Sequence, residues 1–289
     1  MEIKVQEFIS PTLFEIPIRD MRLIIAARHE PGSLSLARDI TEYGLAEIFS
    51  RIPVGERIDL KSAYDSLEAC GGVWLTPEDE QWPEALNDLA APPLGIFVKG
   101  EVSALRNNSL SIVGTRNPTQ YGVRNAQEFA AGFVDRGWTI VSGGAYGIDS
   151  AAHKGALIAE GSTIAVTASG LDSSYPAGNQ RLFDEIVESG AIITEYLPGA
   201  IARPHRFLVR NRLIAALSRG TVVVEAAFRS GSLRTARDAS DLLRPVMAIP
   251  GPINAPTSEG CHRLIGERSA ELVTSVADAY ELLTSLVSA

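Results

Sequence analysis

The chain has 289 residues, 45% of them hydrophobic and 21% charged, with a formal net charge of −9. That composition suits a globular protein with one large core and a smaller second one. The N-terminal stretch MEIKVQEFISPTLFEIPIRDMRLIIAA carries acids early and no long apolar run, which argues against a signal peptide or a membrane span. Cys70 and Cys261 stand far apart and outside any C-x-x-C pair, so neither a disulfide framework nor a zinc site is expected. The expected location is the cytoplasm, with no metal and no cofactor.

Residues 1 to about 90 are predicted to be helical and irregular. DMRLIIAARH and LSLARDITEYGLAEIFSRI space Leu34, Leu36, Ile40, Leu45, Ile48 and Phe49 as on helices, interrupted by PGS and Gly44. Pro92 and Pro93 cannot continue a helix, which places a boundary near Pro92. The reading is a small helical, SAM-like module over 1–90, followed by a larger domain over 91–289.

From about residue 95 strands and helices alternate. SLSIVGT, WTIVSGG, STIAVTAS, AIITEY, TVVVEA, PVMAIPG and AELVTS are strand candidates, with amphipathic stretches such as NAQEFAAGFVDRG and SAAHKGALIAEG between them. Continuous apolar strands that alternate with helices predict a doubly wound, mainly parallel α/β sheet covered on both faces. Ligands of such sheets bind beyond the carboxyl ends of the strands. Gly114-Thr115-Arg116, Ser142-Gly143-Gly144, Ser169-Gly170, Glu225 and Pro250-Gly251 all fall there.

Several of these turns are suited to phosphate. SIVGTRNPTQYG, residues 111–122, stops a strand on glycine and enters a helix, where free backbone amides and the helix dipole favour an anion. SGGAYGID does the same, but its glycines at 143, 144 and 147 do not match G-x-G-x-x-G, and the next strand does not end in the ribose-binding acid. A P-loop motif is absent as well. Ser230-Gly231-Ser232 opens another helix, and Arg210-Asn211-Arg212 adds two guanidiniums. Between Arg203 and Arg237 lie eight arginines, no lysine and a single acid, Glu225, so this stretch is strongly basic within an acidic chain. Several donor loops on one sheet edge suit a run of phosphates, which favours a polynucleotide backbone over a mononucleotide.

No complete catalytic set is visible. His153 lies among Ala, Leu and Ile and reads as structural, and Asp149 and Asp172 read as helix caps. Cys261 and His262 are adjacent and point apart. Glu225 reads either as a catalytic acid or as a carboxylate that orients loops.

In order, SIVGTRNPTQYG, VSGGAYGIDSAAHKGAL, GLDSSYPAGNQRLF, RFLVRNRLIAALS, VVVEAAFRSGSLRTARDA and AIPG…SEGCHRLI resemble the DNA-processing protein DprA (Smf) family across residues 95 to 270. The resemblance implies a Rossmann-like domain that acts as a homodimer, binds and protects incoming single-stranded DNA, and loads RecA in natural transformation and recombination. It implies no enzymatic activity. It assigns Arg116 to backbone phosphate, with Gly114 and Thr115 in the same turn and Gly143 and Gly144 as amide donors beside Ser142. Arg206 and Phe207 supply a phosphate contact and a stacking ring, and Arg210, Asn211, Arg212, Ser230, Gly231 and Ser232 complete the groove. Leu208 stands where the family commonly has proline, and HEPGS lacks the glycine pair of a helix-hairpin-helix loop. Two alternatives are a nucleoside-monophosphate phosphoribohydrolase on the same sheet, built on Glu225 and SGSL, and a protein-interaction scaffold.

Overall fold

The computed structural model describes residues 16–285; the first 15 residues of the stretch read as neither signal peptide nor span lie outside them. Nine strands form one sheet: β1 (Gly72–Leu75), β2 (Ile96–Gly100), β3 (Ser109–Val113), β4 (Thr139–Ser142), β5 (Thr163–Val166), β6 (Ala191–Thr194), β7 (Gly220–Val223), β8 (Val246–Ala248) and β9 (Glu271–Leu272). Their order is β1-β2-β6-β5-β4-β3-β7-β8-β9. β6 through β9 in that row run parallel, while β1 and β2 are added antiparallel at one edge.

Every residue of β3, β4, β5, β6 and β7 is buried, which is why their sequences are continuous rather than alternating. Successive side chains still point to opposite faces. Leu110 and Ile112 share a core with Phe129 and Phe133 of α5 (Gln120–Val134) and Ala152 of α6 (Ile148–Ile158). Val113 and Val141 share another with Leu213 and Ile214 of α8 (Pro204–Leu217) and Leu233 and Ala236 of α9 (Ser232–Asp241). After β3 the chain steps outward through β4, β5 and, by way of α7 (Gln180–Ser189), β6, then returns to lay β7 on the other side of β3. The topological switch point therefore lies between the carboxyl ends of β3 and β7, where a doubly wound sheet opens a crevice.

The N-terminal helices are α1 (Ile18–Arg28), α2 (Leu34–Tyr43), α3 (Leu45–Ser50) and α4 (Leu60–Ala69). Met21, Ile24 and Ile25 of α1 pack on Ile48, Phe49 and Ile52, while Leu23 on another face of α1 joins Trp74 and Phe97 of the sheet. Residues 1–90 are therefore not all helical. Gly72–Leu75 pairs with β2, so the boundary expected near Pro92 falls inside the β1–β2 pair. Four residues that begin on the second glycine of a pair are too short to show a strand period, and this strand is legible only from its partner.

Among the described residues three turns place a non-glycine residue in the left-handed region, at Glu160, Leu243 and Arg268. The backbone after α9 closes with Leu243 N–H on Ser240 O (2.9 Å) and Arg244 N–H on Ala239 O (2.9 Å), a Schellman closure. Its left-handed position, φ +56°, is held by Leu243 rather than glycine, and the side chain is 94% exposed. The Leu243→Gly variant is expected to be more stable by up to about 1 kcal/mol, because a Cβ in this region costs about 1–2 kcal/mol and part of the gain returns as glycine entropy. A rise in thermal midpoint is the readout, and a fall contradicts the strain.

Candidate nucleic-acid interface

The turn after β3 is held by backbone geometry. A Cβ on Gly114 would lie 2.6 Å from Ile148 Cγ1 and 2.8 Å from Glu225 O, so the bare backbone is required there. Thr115 N–H donates to Glu225 O (2.7 Å) and Thr115 O accepts from Ile148 N–H (3.1 Å), which ties β7, the turn and α6 together. Thr119 caps α5 by accepting from Gly122 N–H (3.3 Å). Glu225, 3% exposed, accepts from Thr119 N–H (2.9 Å), Thr119 Oγ1 (2.6 Å) and Thr257 Oγ1 (3.4 Å). This is the loop-orienting carboxylate of the two sequence readings. Arg116 follows the turn, exposed and without an ion pair among the described residues, its guanidinium 5.2 Å from the centre of the Phe207 ring.

Helix α8 brings up the other wall. Its periodicity places Phe207, Arg210 and Asn211 on one face and Arg206, Val209 and Arg212 on another. Phe207 leans on Tyr175, with ring centres 5.3 Å apart at 49°. Arg210 is only 4% exposed, and its Nε and Nη1 have no hydrogen-bond partner among the described residues. A Cβ on Gly143 would lie 1.9 Å from Arg210 Nη1 and 2.7 Å from Asp149 Oδ2, so glycine at 143 makes room for the guanidinium. Burial lowers the Arg210 pKa to about 10, which leaves it charged at neutral pH. Burial raises the Asp149 pKa, an effect opposed by the charge of Arg210. Asn211 Nδ2 donates to Gly231 O (3.2 Å), and the Ser230 and Ser232 hydroxyls bond to each other (2.8 Å) at the N-terminus of α9. These walls enclose a cleft of about 490 Å³ at the β3–β7 switch point.

Eight expected site residues line this cleft: Gly114, Arg116, Phe207, Arg210, Asn211, Ser230, Gly231 and Ser232. Others have different work. Ser142 is fully buried and its hydroxyl donates to Ile112 O (2.7 Å), so it is not a phosphate donor. Gly143 and Gly144 are buried, and they give space to Arg210 and to the Phe183 ring respectively. Thr115 is spent on the turn itself.

Arg206 and Arg212 face away from the cleft. Arg206 donates to Glu30 Oε1 (2.5 Å) and Ile201 O (3.1 Å) and lies 4.3 Å from the Tyr196 ring centre. Arg212 bonds both oxygens of Glu195 (2.6 Å each) and Ala91 O (3.0 Å). With Arg210 buried and Arg234 paired to Asp238 at 2.7 Å, the arginine-dense segment projects less charge into solvent than its sequence suggests.

Two helix caps are also corrected. Asp149 lies inside the first turn of α6, whose N-cap is Gly147, and Asp172 accepts from the Gly199 N–H (2.9 Å) in a loop. His153 is structural: it is fully buried on Thr163 Oγ1 (2.7 Å), and burial lowers its pKa to about 3. Cys261 is buried, which pushes its thiol up to about 12, while His262 Nε2 turns to Gly251 O (3.0 Å). Sequence reasoning missed Tyr175, although the Tyr-Pro pair in GLDSSYPAG marked its loop. Among the described residues no helix is long and apolar enough to cross a membrane.

A doubly wound sheet with guanidiniums and a partly open aromatic ring at its switch point defines a Rossmann-like domain with an arginine-lined cleft. The chain belongs to the family described as DNA recombination-mediator protein A, which it matches over residues 73–284. It is 43% identical over 245 residues to a DNA processing protein DprA of Mycobacterium tuberculosis, covering 79% of this chain and 63% of that protein. It is 42% identical over 200 residues to DprA of Streptococcus pneumoniae, covering 69% of this chain and 70% of the relative. The X-ray structure of the S. pneumoniae protein superposes with a TM-score of 0.77 at 33% identity, over 93% of this chain and 97% of that one. A structure of DprA from Helicobacter pylori, described for its single-stranded DNA binding mode, gives 0.67 at 30% identity, over 75% and 96%. The chain thus spans just under two thirds of the mycobacterial relative.

Proposed function

We propose that this chain binds single-stranded DNA in the cleft at the carboxyl ends of β3 and β7 and acts as a recombination mediator rather than an enzyme. The observation that carries the reading is Arg116, exposed and without an ion pair among the described residues, beside the partly open ring of Phe207. A guanidinium for phosphate next to an aromatic face for a base is the unit that sequence-tolerant strand binding needs. Tyr175 backs the ring, the N-terminus of α9 offers backbone donors, and Arg210 adds positive potential from below. The single-stranded DNA binding of the H. pylori relative supports the same reading. Homodimer formation and transfer of the strand to RecA in the cytoplasm are the finer parts of this proposal. A faster assembly of RecA filaments on DNA carrying this protein is their readout.

The phosphoribohydrolase alternative requires a free Glu225. Both oxygens of that carboxylate are bonded, and a Cβ on Gly122 would lie 2.2 Å from one of them. No adenine is expected on incubation with AMP.

The decisive measurement is oligothymidine binding as a function of salt. Arg116→Ala is expected to weaken binding at moderate salt and to flatten the slope of log K against log salt by about 0.7, the share of one neutralised phosphate on a single strand. Wild-type affinity and slope in this variant would overturn the site.

A further inference from the structure

Four strands are each followed by an exposed aromatic side chain at the carboxyl edge of the sheet. Tyr121 follows β3, Tyr146 follows β4, Tyr175 follows β5 and Phe228 follows β7, and they are 44%, 49%, 48% and 49% exposed. Their strands succeed one another as β5, β4, β3 and β7, at the usual interval of about 4.8 Å. An exposed aromatic on its own needs no explanation, whereas a row of them along one functional edge does. Tyr121 Oη donates to Pro250 O (2.7 Å), which holds its ring, and the Tyr146 hydroxyl lies 2.4 Å from where a Cβ on Gly178 would sit.

Of this row only Tyr175 lines the cleft; Phe228, like Tyr121 and Tyr146, lies outside it. Phe228 stands in the loop between β7 and α9, two residues before the Ser230–Ser232 wall of the cleft. The Arg263 guanidinium of α10 (Glu259–Gly266) lies 4.7 Å from its ring centre, which repeats the pairing of Arg116 with Phe207. The next residue, Arg229, is exposed and has no ion pair among the described residues. Of the nearby carboxylates, Glu267 just after α10 is paired with Arg263 (2.6 Å), and Glu259 stands exposed at the start of the helix. A single strand presents bases and phosphates in alternation, and rings interleaved with free cations along one edge answer that pattern.

We propose that Phe228, backed by Arg263 and accompanied by Arg229, is a second base-stacking and phosphate site for single-stranded DNA, outside the cleft that holds Phe207. The proposal rests on the cleft being the first DNA site. It makes the bound strand run across the sheet edge, past the N-terminus of α9, rather than end in the cleft.

The test is the affinity of the full chain for a length series of oligothymidines, measured for Phe228→Ala, Phe228→Tyr, Arg229→Ala and Arg116→Ala. The Phe228 ring is half exposed, so thermal melts of its variants are expected to match the wild type. Phe228→Ala is expected to lose about 5- to 150-fold on long oligonucleotides, the effect of one stacked base, and nothing on the shortest that bind. Phe228→Tyr keeps the ring and is expected to bind as wild type. Arg229→Ala is expected to reduce the salt slope by about 0.7 on long strands only. The proposal is overturned if Phe228→Ala and Arg229→Ala bind every length as wild type while Arg116→Ala is weakened. It is equally overturned if Phe228→Ala loses the same factor at every length, which would make Phe228 part of the first cleft. Wild-type binding by Arg116→Ala, in contrast, removes the first site and with it the reading on which this one stands.

Discussion

Arg212→Ala is expected to lower the free energy of unfolding by about 3–5 kcal/mol, the range for removing one partner of a buried ion pair. Arg212 and Glu195 are joined through both carboxylate oxygens, and their side chains are only 12% and 7% exposed. Without the guanidinium, Glu195 would be left as a buried charge with no counterion, and Ala91 O would lose its donor. The denaturant midpoint is the measurement. A double replacement, Arg212→Met with Glu195→Leu, is expected to recover most of the loss, because well-packed apolar groups replace buried pairs at little net cost. A loss below 1 kcal/mol in the single variant would mean that the pair behaves as if it were in solvent.

Neighbouring interactions join the turn after α1 to helix α8. Glu30 holds Arg206, and a Cβ on Gly32, which has φ +76°, would meet Val209 and Arg212 side-chain atoms at 3.1 Å. The face of α8 opposite the cleft is therefore anchored on residues that lie 176 and 17 positions away in sequence, at Glu30 and Glu195. Phe207 and Arg210 can be presented to a ligand because the other side of their helix is held.

Gly143→Ala is expected to weaken single-stranded DNA binding by about 1.5–3 kcal/mol, the range for a hydrogen bond to a charged group. The new methyl group would fall 1.9 Å from Arg210 Nη1, so the guanidinium must leave the floor of the cleft. Crowding of the buried site is expected to cost about 1–3 kcal/mol of stability in addition. Measuring affinity and stability on the same variant separates the two effects. If stability falls while affinity stays at the wild-type value, Arg210 serves the fold alone.

The sequence made much of this molecule legible. The strands from SLSIVGT to PVMAIPG could be placed because a sheet covered on both faces demands uninterrupted apolar runs bounded by turn residues, whereas Glu271–Leu272 of AELVTS is exposed at the sheet edge. Gly114 and Arg116 could be placed at the sheet edge because a strand end, a glycine and a helix start are local features, whereas Phe207 came only from the family resemblance. The same logic failed for Gly72–Leu75, which is too short to carry a period, and for Asp172, whose partner Gly199 lies in another loop.

What the sequence determined by itself was therefore the layered α/β architecture and the edge of the sheet where an anion could bind. Only the tertiary structure decided which arginines are free to bind it. Arg206, Arg210 and Arg212 lie within a few residues of one another, yet two are tied to carboxylates and one is buried under the cleft. A helix sends neighbouring residues to different faces about every 100°, and the partner of each face comes from distant chain. Charge density along a sequence is a local quantity, whereas its exposure and pairing are set by contacts that only the folded chain brings together.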